Sequence, residues 1–231
     1  MKSVYTILAT AVLAVAFNQS ALAAPYQMTQ QEAEQGQRGV EAYNAGDYQR
    51  ALRLWKPLAD KGVSIAEHNY GRAYAEGTGV KRNYKQAAYW YQRAAEHGHT
   101  PAVHNLGMLY LKGLGVKKDA QKAAQLLQQS AQQGDDLSQY QLGMMYYTGE
   151  GVRQDKQRGF ALMMQSAEQG NKNAMKAVAS AYAYGAGVAQ DSEKARAWYE
   201  KIGNDVEIKQ DEVMYQQLLR LDEAAKRSRQ R

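Results

Sequence analysis

The sequence has no cysteine among its 231 residues. This excludes a disulfide-stapled scaffold, a thiolate zinc site, a cysteine nucleophile and a lipoprotein anchor built on an N-terminal thiol. No serine stands in a Ser-x-x-Lys arrangement and no Gly-x-Ser-x-Gly occurs, so two common settings of an acylating serine are missing. The carboxylates are scattered, with no pair that the sequence places in one cleft as general acid and base. The apolar run near the N-terminus is about 14 residues, short of the roughly 20 that cross a bilayer. No catalytic residue, cofactor or metal is therefore expected, and the chain reads as a non-enzyme.

Hydrophobic residues make up 45% of the chain and charged residues 23%, a balance that buries a core rather than staying disordered. Lys2 precedes the apolar run from Val4 to Phe17, followed by Asn18-Gln19-Ser20 and the small residues around Ala21-Leu22-Ala23. This order predicts a secretory signal peptide over residues 1–23, cleaved after Ala23. The expected location is periplasmic or secreted, with no transmembrane segment in the mature chain. There the protein meets little nucleic acid, so no nucleic-acid partner is expected despite a formal charge of +6.

A period of 36 residues organises the rest. Gly71, Gly107 and Gly143 keep this step, with Ala179 in the fourth place, and so do Tyr74, Tyr110, Tyr146 and Tyr182. Gly79-Val80, Gly115-Val116, Gly151-Val152 and Gly187-Val188 follow, each succeeded by Asn83, Asp119, Asp155 or Asp191. Such self-similarity marks a stacked array. Ala66, Tyr70, Gly71 and Tyr74 fall on one helical face. The glycine-rich segment should end that helix, and the Asn or Asp should cap a second one, from about Tyr84 to Glu96. Glycine in mid-helix costs about 1 kcal/mol relative to alanine, which makes sense where a neighbouring helix approaches closely.

These landmarks resemble the Sel-one-like repeat, a module related to the tetratricopeptide repeat. Residues 102–134 are the clearest copy, with Leu106-Gly107, Tyr110, Gly113-x-Gly115-Val116, Asp119 and Lys122-Ala123. Upstream, Gly39, Ala42, Gly46-Asp47-Tyr48, Ala51 and Trp55 look more like a plain tetratricopeptide unit with a shorter turn. The resemblance implies an all-α fold, a right-handed α-solenoid of antiparallel helix pairs. The expected division is a linker over 24–34, a tetratricopeptide-like unit over 35–62, and repeats over 63–98, 99–134, 135–170 and 171–204. Residues 205–231 would supply a capping helix, with Met214, Leu218 and Leu221 on one stripe, and a basic tail.

In such a solenoid the first helices line a concave groove. Positions three before, one after and four after the helix glycine should face it, namely His68, Arg72, Ala75, His104, Met108, Leu111, Tyr140, Met144, Tyr147, Lys176, Ser180 and Ala183. Their aromatic, methionine and cationic character suits an extended protein or peptide ligand in the envelope or host. Lys81, Arg82, Lys85, Lys112, Lys117, Lys118 and Lys122 gather near the inter-helix loops and suggest an anionic cell-wall polymer as a second partner. His97, His99 and His104 lie close in sequence, and are read as solvated or groove-lining rather than metal ligands. The resemblance implies a non-catalytic scaffold, or alternatively a polysaccharide-binding modulator of an envelope enzyme. Some cysteine-rich relatives are described as β-lactamase-like hydrolases, but this chain lacks their cysteines.

Overall fold

The computed structural model describes residues 26–202, so the expected cleavage site and C-terminal capping helix lie outside it. Among the described residues all regular elements are helices: α1 Gln30–Asn44, α2 Tyr48–Asp60, α3 Ser64–Glu76, α4 Tyr84–Glu96, α5 Thr100–Lys112, α6 Ala120–Gln132, α7 Asp136–Thr148, α8 Lys156–Glu168, α9 Lys172–Tyr184 and α10 Ser192–Ile202. Each packs on its sequence neighbours, so odd- and even-numbered helices alternate along the stack; the odd-numbered ones are the first helices of the pairs, the row that the repeat resemblance expects to be the inner one. The result is an α-solenoid of five helix pairs.

The periodic residues explain the joints. Gly77, Gly113, Gly149 and Gly185 end the odd helices from α3 to α9 in the left-handed conformation, which a side chain disfavours. Farther along each loop, Asn83, Asp119 and Asp155 cap the following helices through their side-chain oxygens. The N–H groups of Asn83, Asp119, Asp155 and Asp191 donate to the carbonyls of Tyr74, Tyr110, Tyr146 and Tyr182 at 2.8–2.9 Å, closing every long loop in the same way. The first pair differs, with a connection of only 45–47.

The second loop glycine joins one repeat to the previous one. A Cβ on Gly115, Gly151 or Gly187 would overlap the backbone carbonyl of Tyr84, Ala120 or Lys156, the first residue of α4, α6 or α8. Each loop therefore sits on the start of the preceding outer helix. Mid-helix glycines serve the other contact, within the pair: a Cβ on Gly71 would stand 2.7 Å from Tyr91. Trp55, Leu58, Leu106, Leu127, Leu142, Met145, Met163 and Val178 are almost wholly buried along this seam, each contributing about 1.5–3 kcal/mol.

Thr29 and Glu32 form a capping box at the start of α1. The Glu32 carboxylate also accepts from Lys61 at 2.6 Å and from the Tyr26 hydroxyl at 2.8 Å, which ties the start of α1 to the end of α2. The Lys61 ammonium, helped by the Thr29 N–H, draws that carboxyl down to about 2.

Candidate interaction surface

The residues of the expected stripe lie on the odd-numbered helices, where most of them are half-buried and engaged between neighbouring helices. His68 Nε2 lies 3.0 Å from Asn105 Nδ2 on α5, and its ring centroid is 4.7 Å from that of His99 and 5.7 Å from that of Tyr91. One repeat on, His104 Nδ1 stands 2.9 Å from Ser138 Oγ on α7 and 3.6 Å from the Asp135 carboxylate. In the fourth repeat Ser180 Oγ is 3.2 Å from the Tyr199 hydroxyl. Varying residues of the stripe thus act as rungs from α3 to α5 and from α5 to α7, and within the last pair from α9 to α10.

Burial sets the protonation of this ladder. Desolvation, reinforced by His99 and Arg72, pulls His68 from 6.5 down to about 4. Burial also lowers His99, and it lowers His104 against the opposing pull of Asp135 and Asp136. These imidazoles are neutral at pH 7.

Arg72 lays its guanidinium 4.4 Å from the ring centroid of Tyr43, whose hydroxyl donates to Glu76 at 2.7 Å. Tyr140, Met144 and Tyr147 rest on the core formed by Met163, Ala167, Ala174 and Val178. Met108 packs on the preceding core in the same manner. Lys176 is half-buried on α9. Leu111 departs from its expected place in the groove: it is 7% exposed and belongs to the core with Leu127 and Leu142. A branched aliphatic chain at that position gains more from the adjacent seam than from water. Ala183, 3% exposed, is likewise buried, whereas Ala75 is half-buried.

Three apolar side chains outside the positions expected from the sequence stand out from the inner row. Ile65 is 50% exposed, Leu137 51% and Tyr184 67%. Ile65 and Leu137 lie six residues before the helix glycine, and Tyr184 five after the corresponding Ala179. Helical spacing extends the same stripe to those positions, so widening the window by one turn at each end would have found them. At the first seam, Ile65 also borders a cavity of about 160 Å³ lined by Gly36, Val40, Trp55 and Leu58.

The remaining histidine of the sequence cluster has a different partner. His97 Nδ1 is 2.7 Å from the fully buried carboxylate of Glu67, which Arg93 approaches at 2.9 Å. On the loop edge, Lys81, Lys117 and Arg153 occupy one repeat position and are all exposed, as are Arg82, Lys85, Lys112 and Lys122. Lys118 is 3.3 Å from Glu150.

Five consecutive matches to the Sel1 repeat model cover residues 33–63, 64–99, 100–135, 136–171 and 172–204. The chain belongs to the Sel1 repeat family. The first unit is included in that match, despite its short turn. Among solved structures, a protective antigen present in uropathogenic Escherichia coli strains, displaying an SLR fold, is 36% identical with a TM-score of 0.67. That match covers 74% of this chain and 38% of the antigen, so the chain spans well under half of that protein. A Sel1 repeat protein from Oxalobacter formigenes is 29% identical with a TM-score of 0.71, covering 78% of this chain and 75% of its own. No curated protein matches the sequence. Sel1 repeat proteins are in general protein-interaction scaffolds, typically without catalytic activity.

Proposed function

We propose that this Sel1 repeat protein is a non-catalytic scaffold of the bacterial envelope that binds a protein or peptide along its inner row of helices. The observation that carries this reading is the contrast between an invariant framework and a varied inner stripe. The caps, loop glycines and landmark tyrosines repeat, while the stripe changes from Ile65 and His68 to Leu137 and Tyr140. Ile65, Leu137 and Tyr184 offer apolar anchors, and the cavity beside Ile65 has room for one partner side chain. His68, Arg72, His104, Met108, Tyr140, Met144, Tyr147, Lys176 and Ser180 supply the half-exposed edges between those anchors.

Export is part of this proposal and rests on the signal-like residues 1–23. N-terminal sequencing of protein recovered from the periplasm or medium should begin at Ala24. The binding reading is tested by crosslinking capture from envelope extract with wild type, Ile65→Glu/Leu137→Glu and Lys117→Glu/Lys118→Glu. A partner lost only from the first variant supports the inner row; equal recovery from all three defeats it.

A second reading places an anionic polymer on the loop edge, favoured by the aligned, exposed Lys81, Lys117 and Arg153. It requires salt-sensitive sedimentation with peptidoglycan that Lys117→Glu/Lys118→Glu weakens and the inner-row variant leaves intact.

A further inference from the structure

The seam between α6 and α7 holds an open cavity of about 350 Å³ that the inner-row reading does not use. Buried Ala124 and Leu142, with Val152 and the ring of Tyr146, give it an apolar floor. Gln121, Gln125 and Gln128 line it as well, and their spacing of four and three residues puts all three amides on one face of α6. Arg158, itself exposed, borders the arrangement. Its guanidinium lies 4.3 Å from the Tyr146 ring centroid and donates to Gln128 Oε1 at 3.1 Å.

The neighbouring repeat shows why there is space here. Phe160 stands one period after Ala124 and packs edge-on against Tyr182, the counterpart of Tyr146, at a centroid distance of 5.3 Å. Alanine at 124 leaves the equivalent aromatic uncovered by any such ring.

We propose that this cavity binds an N-acetylhexosamine unit of a glycan. An apolar floor edged by neutral amides matches a pyranose, which has an apolar C–H face and a polar perimeter. Each glutamine offers a carbonyl acceptor and two N–H donors, the complement of an acetamido group and of ring hydroxyls. The groups lining the cavity are neutral amides and apolar side chains, which suits an uncharged ligand, while Arg158 directs one N–H to Gln128 and its guanidinium to the Tyr146 ring. Its volume lies within the range of small-molecule sites.

The test is an NMR titration of the whole ¹⁵N-labelled chain, following the side-chain amide signals of the three glutamines. Chitotriose should shift them saturably with a Kd on the order of 1 mM, and maltotriose, which lacks acetamido groups, should bind at least about fivefold more weakly. Gln125→Leu, at an exposed position, should weaken binding about fivefold. Ala124→Phe, which copies the neighbouring repeat, should abolish binding while the backbone spectrum stays folded. Unmoved glutamine signals, equal responses to the two sugars, or binding that survives both substitutions would each overturn the proposal.

Discussion

A Cβ built on Gly143 would stand 2.7 Å from Met163 Cγ and 2.9 Å from the Gly159 carbonyl oxygen, whereas one on Gly107 would meet Leu127 Cγ at 3.2 Å. The two glycines hold the same repeat position but differ in how tightly the outer helix closes on them. Alanine at 107 gains about 1 kcal/mol of helix propensity, enough to offset a shift of a few tenths of an ångström in Leu127. Alanine at 143 meets a backbone carbonyl that cannot move alone, and overpacking of this kind costs about 1–3 kcal/mol. Urea unfolding should place Gly107→Ala within about 1 kcal/mol of wild type and Gly143→Ala clearly below it. Equal effects would refute the difference in closeness.

The loop glycines admit a similar contrast. Gly134 has a φ of +89° and a Cβ there would meet nothing within 4 Å, while Gly151 has a φ of +70° and faces the Ala120 carbonyl. Gly134→Ala should lose only the left-handed penalty, about 1–2 kcal/mol. Gly151→Ala should lose more, because the third repeat must lift off the start of α6. The comparison is again by denaturant midpoint, and a Gly134 variant as unstable as the Gly151 variant would show that the seat on α6 contributes nothing.

What was legible in the sequence was what recurs. Helix pairs, the bounds of α4, the caps at Asn83, Asp119 and Asp155, and the close approach at Gly71 all followed from residues that keep a 36-residue step. What was not legible depends on residues that do not recur. Leu111 is buried because its branched chain joins Leu127 and Leu142 in one core, while Tyr147, at the same repeat position, is too large to be fully enclosed. Glu67 gave no signal at all, since its counterparts are Val103, Gln139 and Met175 and only the fold reveals that the position is interior.

That buried carboxylate supports a third prediction. Glu67 is bound by His97 at 2.7 Å, and the Arg93 guanidinium lies 2.9 Å from its other oxygen but off hydrogen-bonding alignment. Two repeats later the same positions carry Gln139 and Gln169, joined by a neutral hydrogen bond of 2.7 Å. Glu67→Leu should destabilise by about 3–5 kcal/mol, because Arg93 and His97 lose their partner in a half-buried site. Glu67→Gln/His97→Gln transplants the pair that the fold already accommodates and should restore most of that loss. A double variant no more stable than Glu67→Leu would show that the charge itself is required.

The His68 ladder sets the fourth prediction, a fall in stability on mild acidification. Asn105 Nδ2, 3.0 Å away, donates to Nε2, an arrangement that needs the neutral ring, and both His99 and Arg72 disfavour its protonation. Its folded-state pKa of about 4 lies below the ordinary 6.5, so the unfolded chain takes up the proton first as pH falls. The stabilisation is fully present above pH 6.5 and is lost progressively as pH falls towards 4, where the folded state also protonates. The interval corresponds to at most about 3 kcal/mol from this residue, with His99 and His104 adding losses of the same sign. Thermal unfolding between about pH 7 and pH 4.5 should show a falling Tm in wild type. His68→Gln keeps an acceptor for Asn105 without a titrating group and should flatten the slope. A wild-type Tm that is level over this range, or a variant whose slope is unchanged, would refute the role assigned to the neutral imidazole.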